Sequence, residues 1–430
     1  MERNNNIPNT ELNKYPELLP PMGRNGAETF DKMYENNNLI DYILSKSDLK
    51  KGNFLLTLGA VGGGGAGKKV MEFIKEIESR SIPYSVMAMK NYLSSNPLIS
   101  FSEKASIYQV DDKTGSWEIL TQRCFETMRD ILEPISTVVS FGPRTPNLEA
   151  ARKLGFTNIF AIDGAVPDKW ESVVGASGFP DTAYYLPAYQ ACTYLTTCGW
   201  ERAWFPPLQT LPPFTKVEVK SQPFSKQFVK ELIDLRSITP QSARNKLVQT
   251  GRYPDLIGDE LLVVPTMDKV YLNPQALVAN GKWLTTEQFG QCISFVNELI
   301  VGLSQLSKKT ILYLPDEIRE MAQPTINKFI SGNLKIVARD YIPNNEYLLL
   351  RKAGVSIGRA PLCVSTAEEL GMGNPFVICP VPARTNDGIS YMTEAEAFEV
   401  FKKIDAAKCI NLGESVSDAI LEIAEIKRLL

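Results

Sequence analysis

Not one histidine occurs among the 430 residues of the chain. Without imidazole there is no side chain of that kind to act as general base, to activate a nucleophile or to bind a metal. Serine-hydrolase triads that depend on histidine and His-based zinc sites are therefore excluded, and no metal is expected. The seven cysteines (Cys124, Cys192, Cys198, Cys292, Cys363, Cys379 and Cys409) are odd in number, scattered and without a C-x-x-C pair. That argues against a zinc ribbon, a thioredoxin motif or a secreted disulfide frame, and the expected compartment is the cytoplasm. Excess charge is missing too: 46 Lys and Arg stand against 49 Asp and Glu, with no long single-sign run. Nothing in that balance attracts nucleic acid or anionic lipid. No apolar run reaches the roughly 18 residues a membrane-spanning helix needs, and residues 1–48 are polar and Asn-rich with no basic-then-apolar signal segment. The expectation is a soluble protein with neither a nucleic-acid partner nor a membrane span.

What the chain does hold is apolar material for more than one core, at 44% hydrophobic residues. Its length fits two domains of roughly 200 residues each. Residues 54–58 form an apolar run that ends in the glycine-rich segment Gly59 to Gly67, and Val70, Phe73, Ile74 and Ile77 follow at i, i+3, i+4 and i+7. A strand, a glycine turn and a helix with one buried stripe are expected, followed by a second strand at Tyr84 to Met89. The rhythm continues through Thr137 to Ser140 and Asn158 to Ile162, which predicts a parallel sheet wrapped by helices. Prolines at 206, 207, 212 and 213 break the pattern and mark a domain edge. Apolar runs at 261–264, 310–314, 334–338, 354–357 and 375–379 then predict a second α/β domain.

The glycine cluster admits several readings. Gly62-x-Gly64-x-x-Gly67 matches a dinucleotide fingerprint, but the next strand ends at Lys90 where a ribose-binding acid is expected. Gly62-(x)4-Gly67-Lys68 matches most of a P-loop, with Lys69 where the Mg²⁺-binding hydroxyl should be. A glycine loop after the first strand also lines the interdomain cleft of two-domain glycosyltransferases. A tight strand-to-helix turn with no ligand is the fourth reading.

The second half resembles a known arrangement. Asp340-Tyr-Ile-Pro-Asn344, a leucine pair after Glu346, Ala353 to Arg359, Ser365-Thr-Ala-Glu368 and Asn374-Pro375 follow one another in the order and spacing of the donor-binding segment of GT-B glycosyltransferases. The likeness is to the UDP- or dTDP-sugar enzymes of the natural-product type and, more distantly, to the MurG-like group. The resemblance spans residues 54 to 430 coarsely. It implies an α/β fold of two Rossmann-like domains facing a cleft, with a nucleotide-diphosphate sugar as co-substrate, a small-molecule acceptor and no other cofactor. A homo-oligomer or a partner enzyme fits the same reading.

The domains expected are a polar extension over 1–50, an acceptor domain over 51–213 and a nucleotide-sugar domain over 214–430, its last helix packing back on the first. Donor binding is expected from Thr266, Tyr341, Pro343, Asn344, Arg359, Ser365, Thr366 and Glu368, with Gly62, Gly63, Gly64, Gly65 and Gly67 as the glycine loop. Tyr341 would stack on the base, Ser365 and Thr366 would meet the diphosphate, Glu368 the ribose and Arg359 a phosphate oxygen. Ser365-x-x-Glu368 is also a capping box, which needs no ligand.

The departures from the family pattern bear on catalysis. Its usual histidine is absent from the glycine loop, Phe141 stands where its Asp partner is expected, Ala360-Pro-Leu replaces a His-Gly-Gly stretch, and Arg384 to Asp387 lacks the sugar-contacting Asp-Gln pair. Three outcomes remain: a carboxylate acts as base, with Asp163 best placed; the acceptor needs none; or the protein is catalytically silent and serves as a binding or accessory subunit. A P-loop phosphotransferase using Lys68 and Asp163 is the third class of function. Asp163 before Gly164 also reads as a plain turn residue. Tyr184, Tyr185, Tyr189, Tyr194, Trp200 and Trp204 could line an acceptor pocket, although their irregular spacing favours core packing.

Overall fold

The structure, a computed structural model, describes residues 25–428 apart from 60–63, 91–92, 94–98, 114–115, 142–144, 164–186, 197–215, 257, 267–285, 331, 339–341, 360–363, 380–384, 387–388, 391–406 and 411–413. Two wholly parallel sheets organise it. The first joins β1 (Asn53–Leu58), β2 (Tyr84–Met89), β3 (Ser106–Val110), β4 (Ile135–Phe141), β5 (Ile159–Asp163), β6 (Thr193–Thr196) and β7 (Lys216–Val219) in the order 3-2-1-4-5-6-7. The second joins β8 (Leu261–Pro265), β9 (Thr310–Leu314), β10 (Leu334–Ala338), β11 (Val355–Arg359), β12 (Phe376–Cys379) and β13 (Ala407–Cys409) in the order 10-9-8-11-12-13. Both orders share the pattern of a doubly wound nucleotide-binding sheet, in which the chain starts centrally, runs outward and then reverses. The expected pair of Rossmann-like domains is present.

In chain order the helices are α1 (Gly26–Asn36), α2 (Leu39–Lys46), α3 (Gly64–Ser79), α4 (Trp117–Arg129), α5 (Thr145–Lys153), α6 (Lys226–Asp234), α7 (Pro240–Gln249), α8 (Thr286–Ser304), α9 (Asp316–Met321), α10 (Gln323–Phe329), α11 (Asn344–Ala353), α12 (Val364–Gly371) and α13 (Val416–Arg428). Strands β1 and β8 are buried nearly throughout, as expected for parallel strands covered on both faces. The apolar stripe of α3, Val70, Phe73, Ile74 and Ile77, lies in the first core, where the Phe73 ring meets Phe141 edge-on at 5.3 Å. Tyr189 and Tyr194 are buried in the same core, so packing accounts for both; the other four aromatics of that group lie outside the described residues.

Residues 25–46 are not a polar extension. The asparagines that suggested one cap helices: Asn25 Oδ1 accepts from Ala27 N at 2.9 Å, and Asn38 Oδ1 from Asp41 N at 3.0 Å. Helix α2 buries Leu39, Ile40 and Ile43 in the first core. Helix α1 instead buries Phe30, Met33 and Tyr34 in the second domain, against Phe228, Leu370 and Phe376. The Phe30 ring lies so close to Gly371 that a Cβ there would stand 2.9 Å from it, so any larger residue would have to displace the ring.

The chain crosses between the domains twice, side by side. Ser221 N donates to Asn37 O at 2.8 Å, Leu39 N to Ser221 Oγ at 3.3 Å, and Tyr34 Oη to Gln222 O at 3.1 Å. Strand β7 still belongs to the first sheet, so that sheet runs past Pro213. The last helix does not pack back on the first domain. Val416, Ala419, Ile420 and Ile423 of α13 lie in the second core with Leu299, Ile300 and Val355, while Ile426 is 38% exposed and Lys427 is buried. Helix α1 makes the crossing instead.

Phe30→Ala is expected to destabilise the protein by about 3–5 kcal/mol, the cost of emptying a well-packed aromatic site. Urea denaturation followed by tryptophan fluorescence measures it. A midpoint equal to wild type would mean that α1 contributes no packing.

Candidate functional site

Residues every fourth position along α3 form a charged stripe beside its apolar one, Lys68, Glu72 and Glu76, and Arg80 follows at the same spacing just past its end. Four-residue spacing places them on one helix face, and that face meets the second domain. Glu76 accepts from Lys226 N, at the first residue of α6, at 2.7 Å. Glu72 accepts from Ser225 Oγ at 2.6 Å, while Ser225 accepts from Phe228 N at 3.1 Å as the N-cap of α6. Two carboxylates thus stand at a helix N-terminus, where the dipole favours negative charge. Arg80 joins Glu76 to Asp41 of α2.

Lys68, one turn into α3, enters a socket built by the second domain. Its Nζ donates to Asn344 Oδ1, on the first residue of α11, at 2.6 Å and pairs with Glu368 Oε1, one turn into α12. The Phe228 ring lies 4.2 Å from the ammonium, within cation–π range. These contacts bring the carboxyl end of β1 opposite the carboxyl ends of β10 and β11, so the two sheets face each other across this junction.

Glu368 is 2% exposed and both its oxygens are engaged, the second by Arg351 Nη1. Burial alone would push its carboxyl up, but the charges of Lys68 and Arg351 hold it below the ordinary range. Arg351, wholly buried, also donates from Nε to Glu369 Oε1 at 2.6 Å and from Nη2 to Ser365 O at 2.5 Å. Asn374 Nδ2 completes the arrangement on Glu369 Oε2 at 2.5 Å and Arg351 O at 3.1 Å. Behind it, Lys352 Nζ donates to Met372 O at 3.2 Å, and Lys427 Nζ to the carbonyls of Arg351, at 2.9 Å, and Gly354.

The structure gathers several of the residues singled out by sequence. Asn344 and Glu368 meet at Lys68. Pro343 is the N-cap residue of α11. Thr266 follows β8, its Oγ1 donating to Ile357 O at 3.0 Å, and a Cβ built on Gly358 would stand 3.5 Å from that oxygen and 3.8 Å from Thr366 Oγ1. Thr266 and Thr366 therefore flank the same glycine.

The capping-box reading of Ser365 and Glu368 does not hold. Helix α12 begins at Val364, so Ser365 lies inside its first turn, and Glu368 turns to two cations rather than back to the backbone. Gly64, Gly65 and Gly67 are helical residues of α3 rather than loop, because the helix starts at Gly64. Gly62, Gly63 and Tyr341 lie outside the described residues; Asp163 and Arg359 close β5 and β11, with side chains also outside them. Sequence reasoning missed Arg351, Glu369, Asn374, Glu72 and Glu76. The fourfold spacing of charge on α3 was the available signal for the last two. Among the described residues no group of three or more carboxylates or thiols could hold a metal, and no helix is long and apolar enough to cross a membrane.

No family model matches the chain, and no curated protein matches it. Solved structures similar to it include MurG of Acinetobacter baumannii, 17% identical over 88% of this chain and 92% of that one, with a TM-score of 0.47. The UDP-GlcNAc 2-epimerase of Methanocaldococcus jannaschii is 10% identical over 87% and 92%, TM-score 0.49. WaaG, a glycosyltransferase involved in lipopolysaccharide biosynthesis, is 10% identical over 88% and 90%, TM-score 0.48. With every score below 0.5, these likenesses carry no argument about what this chain does.

Burial lowers the Lys427 ammonium to about 7, with Glu369 opposing that shift and Lys352 and Arg351 adding to it. Between that value and the ordinary lysine value near 10.4, the unfolded chain holds more protons than the folded one, so stability rises with pH across the window. Thermal melts from pH 7 to 10 should show this rise, and Lys427→Met should flatten it. An equal slope in both proteins would remove Lys427 as its source.

Proposed function

We propose that the chain binds a nucleotide-diphosphate sugar between its two domains and transfers the sugar to a small-molecule acceptor, the nucleotide on the second domain and the acceptor on the first. One observation supports this above the others: the N-terminal turns of α3, α11 and α12 meet at the facing carboxyl ends of two parallel sheets, with Lys68 and Arg351 among them. The crevice outside the carboxyl ends of such strands is where open α/β sheets take ligands. Helix N-termini and a guanidinium favour an anion with the geometry of a diphosphate. In this reading Tyr341 stacks on the base, Thr266 and Thr366 supply hydroxyls beside Gly358, and Ser365 and Arg359 meet phosphate oxygens.

The P-loop reading loses support. A P-loop lysine must serve the phosphates of its own loop, whereas Lys68 reaches across to Glu368 and Asn344.

With no imidazole in the chain, the acceptor's proton passes to a carboxylate. Asp163 closes β5 at the same carboxyl end of the first sheet at which β1 ends. The acceptor oxygen, losing that proton, bonds to the anomeric carbon as the bond from that carbon to the diphosphate breaks. A second reading, a catalytically silent nucleotide-sugar-binding protein, is favoured by Phe141. It ends β4 where the resemblance implies an Asp, and it is 5% exposed and packed on Phe73, so no acid can act from that position.

Product formation from UDP- and dTDP-sugars across a broad acceptor panel tests both. Asp163→Asn keeps the shape and removes the base, so turnover should fall by about 10²–10⁴-fold. Wild-type turnover by the variant would strip Asp163 of its role. Nucleotide binding by calorimetry with no turnover by the native protein would select the silent reading.

A further inference from the structure

The carboxylate expected to hold the ribose is already occupied by the other domain. Both Glu368 oxygens are taken, one by Lys68 and one by Arg351, and the side chain is buried. Each oxygen of such a carboxylate already has a cationic partner, so a ribose hydroxyl would compete with a charge for it, and removing it from Lys68 would leave a largely buried cation without its carboxylate. Around the pair two cations, Lys68 and Arg351, stand with two carboxylates, Glu368 and Glu369, so the charges balance while the pair is closed. Glu368 can keep Arg351 if it gives up Lys68, and an ammonium parted from its carboxylate in a low-dielectric place favours an anion.

The location fits an exchange of partners. Lys68 sits one turn into α3 and Glu368 one turn into α12, so each follows directly on the helix N-terminus at which a phosphate would be held. Among the described residues the two domains also meet where the chain crosses at residues 37–39 and 221–222 and where Glu72 and Glu76 meet the start of α6. The Lys68 contacts to α11 and α12 therefore close the junction beyond the crossing.

We propose that the Lys68–Glu368 pair is an interdomain latch opened by an anion: Glu368 holds the place of a diphosphate, which on binding becomes the partner of Lys68 while Glu368 remains with Arg351. This deepens the function proposed above and rests on it for the identity of the anion. No bond is made or broken in the exchange. Glu368 is then a positioning residue rather than the ribose ligand, and Lys68 the first domain's contribution to the donor site.

The test uses the full chain with Glu368→Gln and Lys68→Met, calorimetry with inorganic pyrophosphate, uridine and UDP, and amide exchange without ligand. Glu368→Gln should bind pyrophosphate about tenfold more tightly than wild type because its internal competitor is gone, and Lys68→Met about tenfold more weakly, a change near 1.4 kcal/mol each. Uridine affinity should be the same in Glu368→Gln and wild type. Exchange in the first turns of α3 and α12 should quicken in both variants.

Unchanged or weaker pyrophosphate binding by Glu368→Gln would overturn the latch, as would a loss of uridine affinity, which would make Glu368 a ribose ligand. If UDP binds the wild type while pyrophosphate affinity is equal in all three proteins, the latch fails and the nucleotide reading stands. If pyrophosphate responds as expected but UDP binds none of them, the latch stands and the nucleotide reading fails.

Discussion

One face of α3 holds the two halves of this protein in register. Lys68, Glu72 and Glu76, spaced by four, each meet the second domain. Taking such charges out of water costs several kcal/mol per ion, so an arrangement of this kind persists only where each buried charge is answered by an opposite charge or by hydrogen bonds. Glu72 is shared by Lys75 and Ser225, Glu76 by Arg80 and the α6 backbone, and Glu368 by Lys68 and Arg351. Because the partners come from different domains, polar satisfaction of each depends on the other being in place. The apolar stripe of the same helix fixes α3 on its own sheet, so the helix has one face for folding and one for assembly.

The double crossing gives that assembly a defined axis. Helix α1 belongs by packing to the second domain and α2 to the first; Asn37, in the turn between them, accepts from Ser221 N, and Tyr34 of α1 donates to Gln222 O. Two adjacent chain segments restrain a junction more than one, yet few residues have to change dihedral angles for the domains to move about it. Hydrophobic burial along α1 stabilises the crossing itself. Near Glu368 and Asn344 the junction relies on charge, and charge is what a polar ligand can exchange.

The parallel sheets were legible because buried parallel strands show as uninterrupted apolar runs: Phe54 to Leu58 and Leu261 to Val264 carried their own signal, and so did the stripe Val70–Phe73–Ile74–Ile77. The leader was misread because Asn25 and Asn38 count as polar residues in composition but serve as helix caps in place. Some of the residues picked from the sequence are neighbours in the fold: Asn344 and Glu368 meet at Lys68, and Thr266 and Thr366 flank Gly358. The remaining charge partners were not legible in the sequence. Arg351 and Glu369 lie on α11 and α12, and which charge answers which is decided by the packing of those helices, a relation absent from any local spacing. Ser365-x-x-Glu368 illustrates the limit: the spacing of a capping box is also that of two residues on one face of a helix, and the start of α12 at Val364 selects the second meaning.

Charge balance links the architecture to what the junction can accept. Glu368 lies below the usual carboxylate range in spite of burial, since two cations outweigh the loss of solvent. Lys427 shows the opposite resolution: its hydrogen bonds go to carbonyls, and burial lowers its ammonium to about 7. In this cluster both carboxylates, Glu368 and Glu369, are committed to cations, while burial works against the charged form of Lys427. A phosphate-bearing ligand adds negative charge without asking any buried carboxylate to give up Arg351. A neutral ligand would have to compete for Glu368 with two cations and offer nothing to offset them. In the proposed function it is therefore the diphosphate end of the nucleotide, rather than its neutral parts, that the junction would meet.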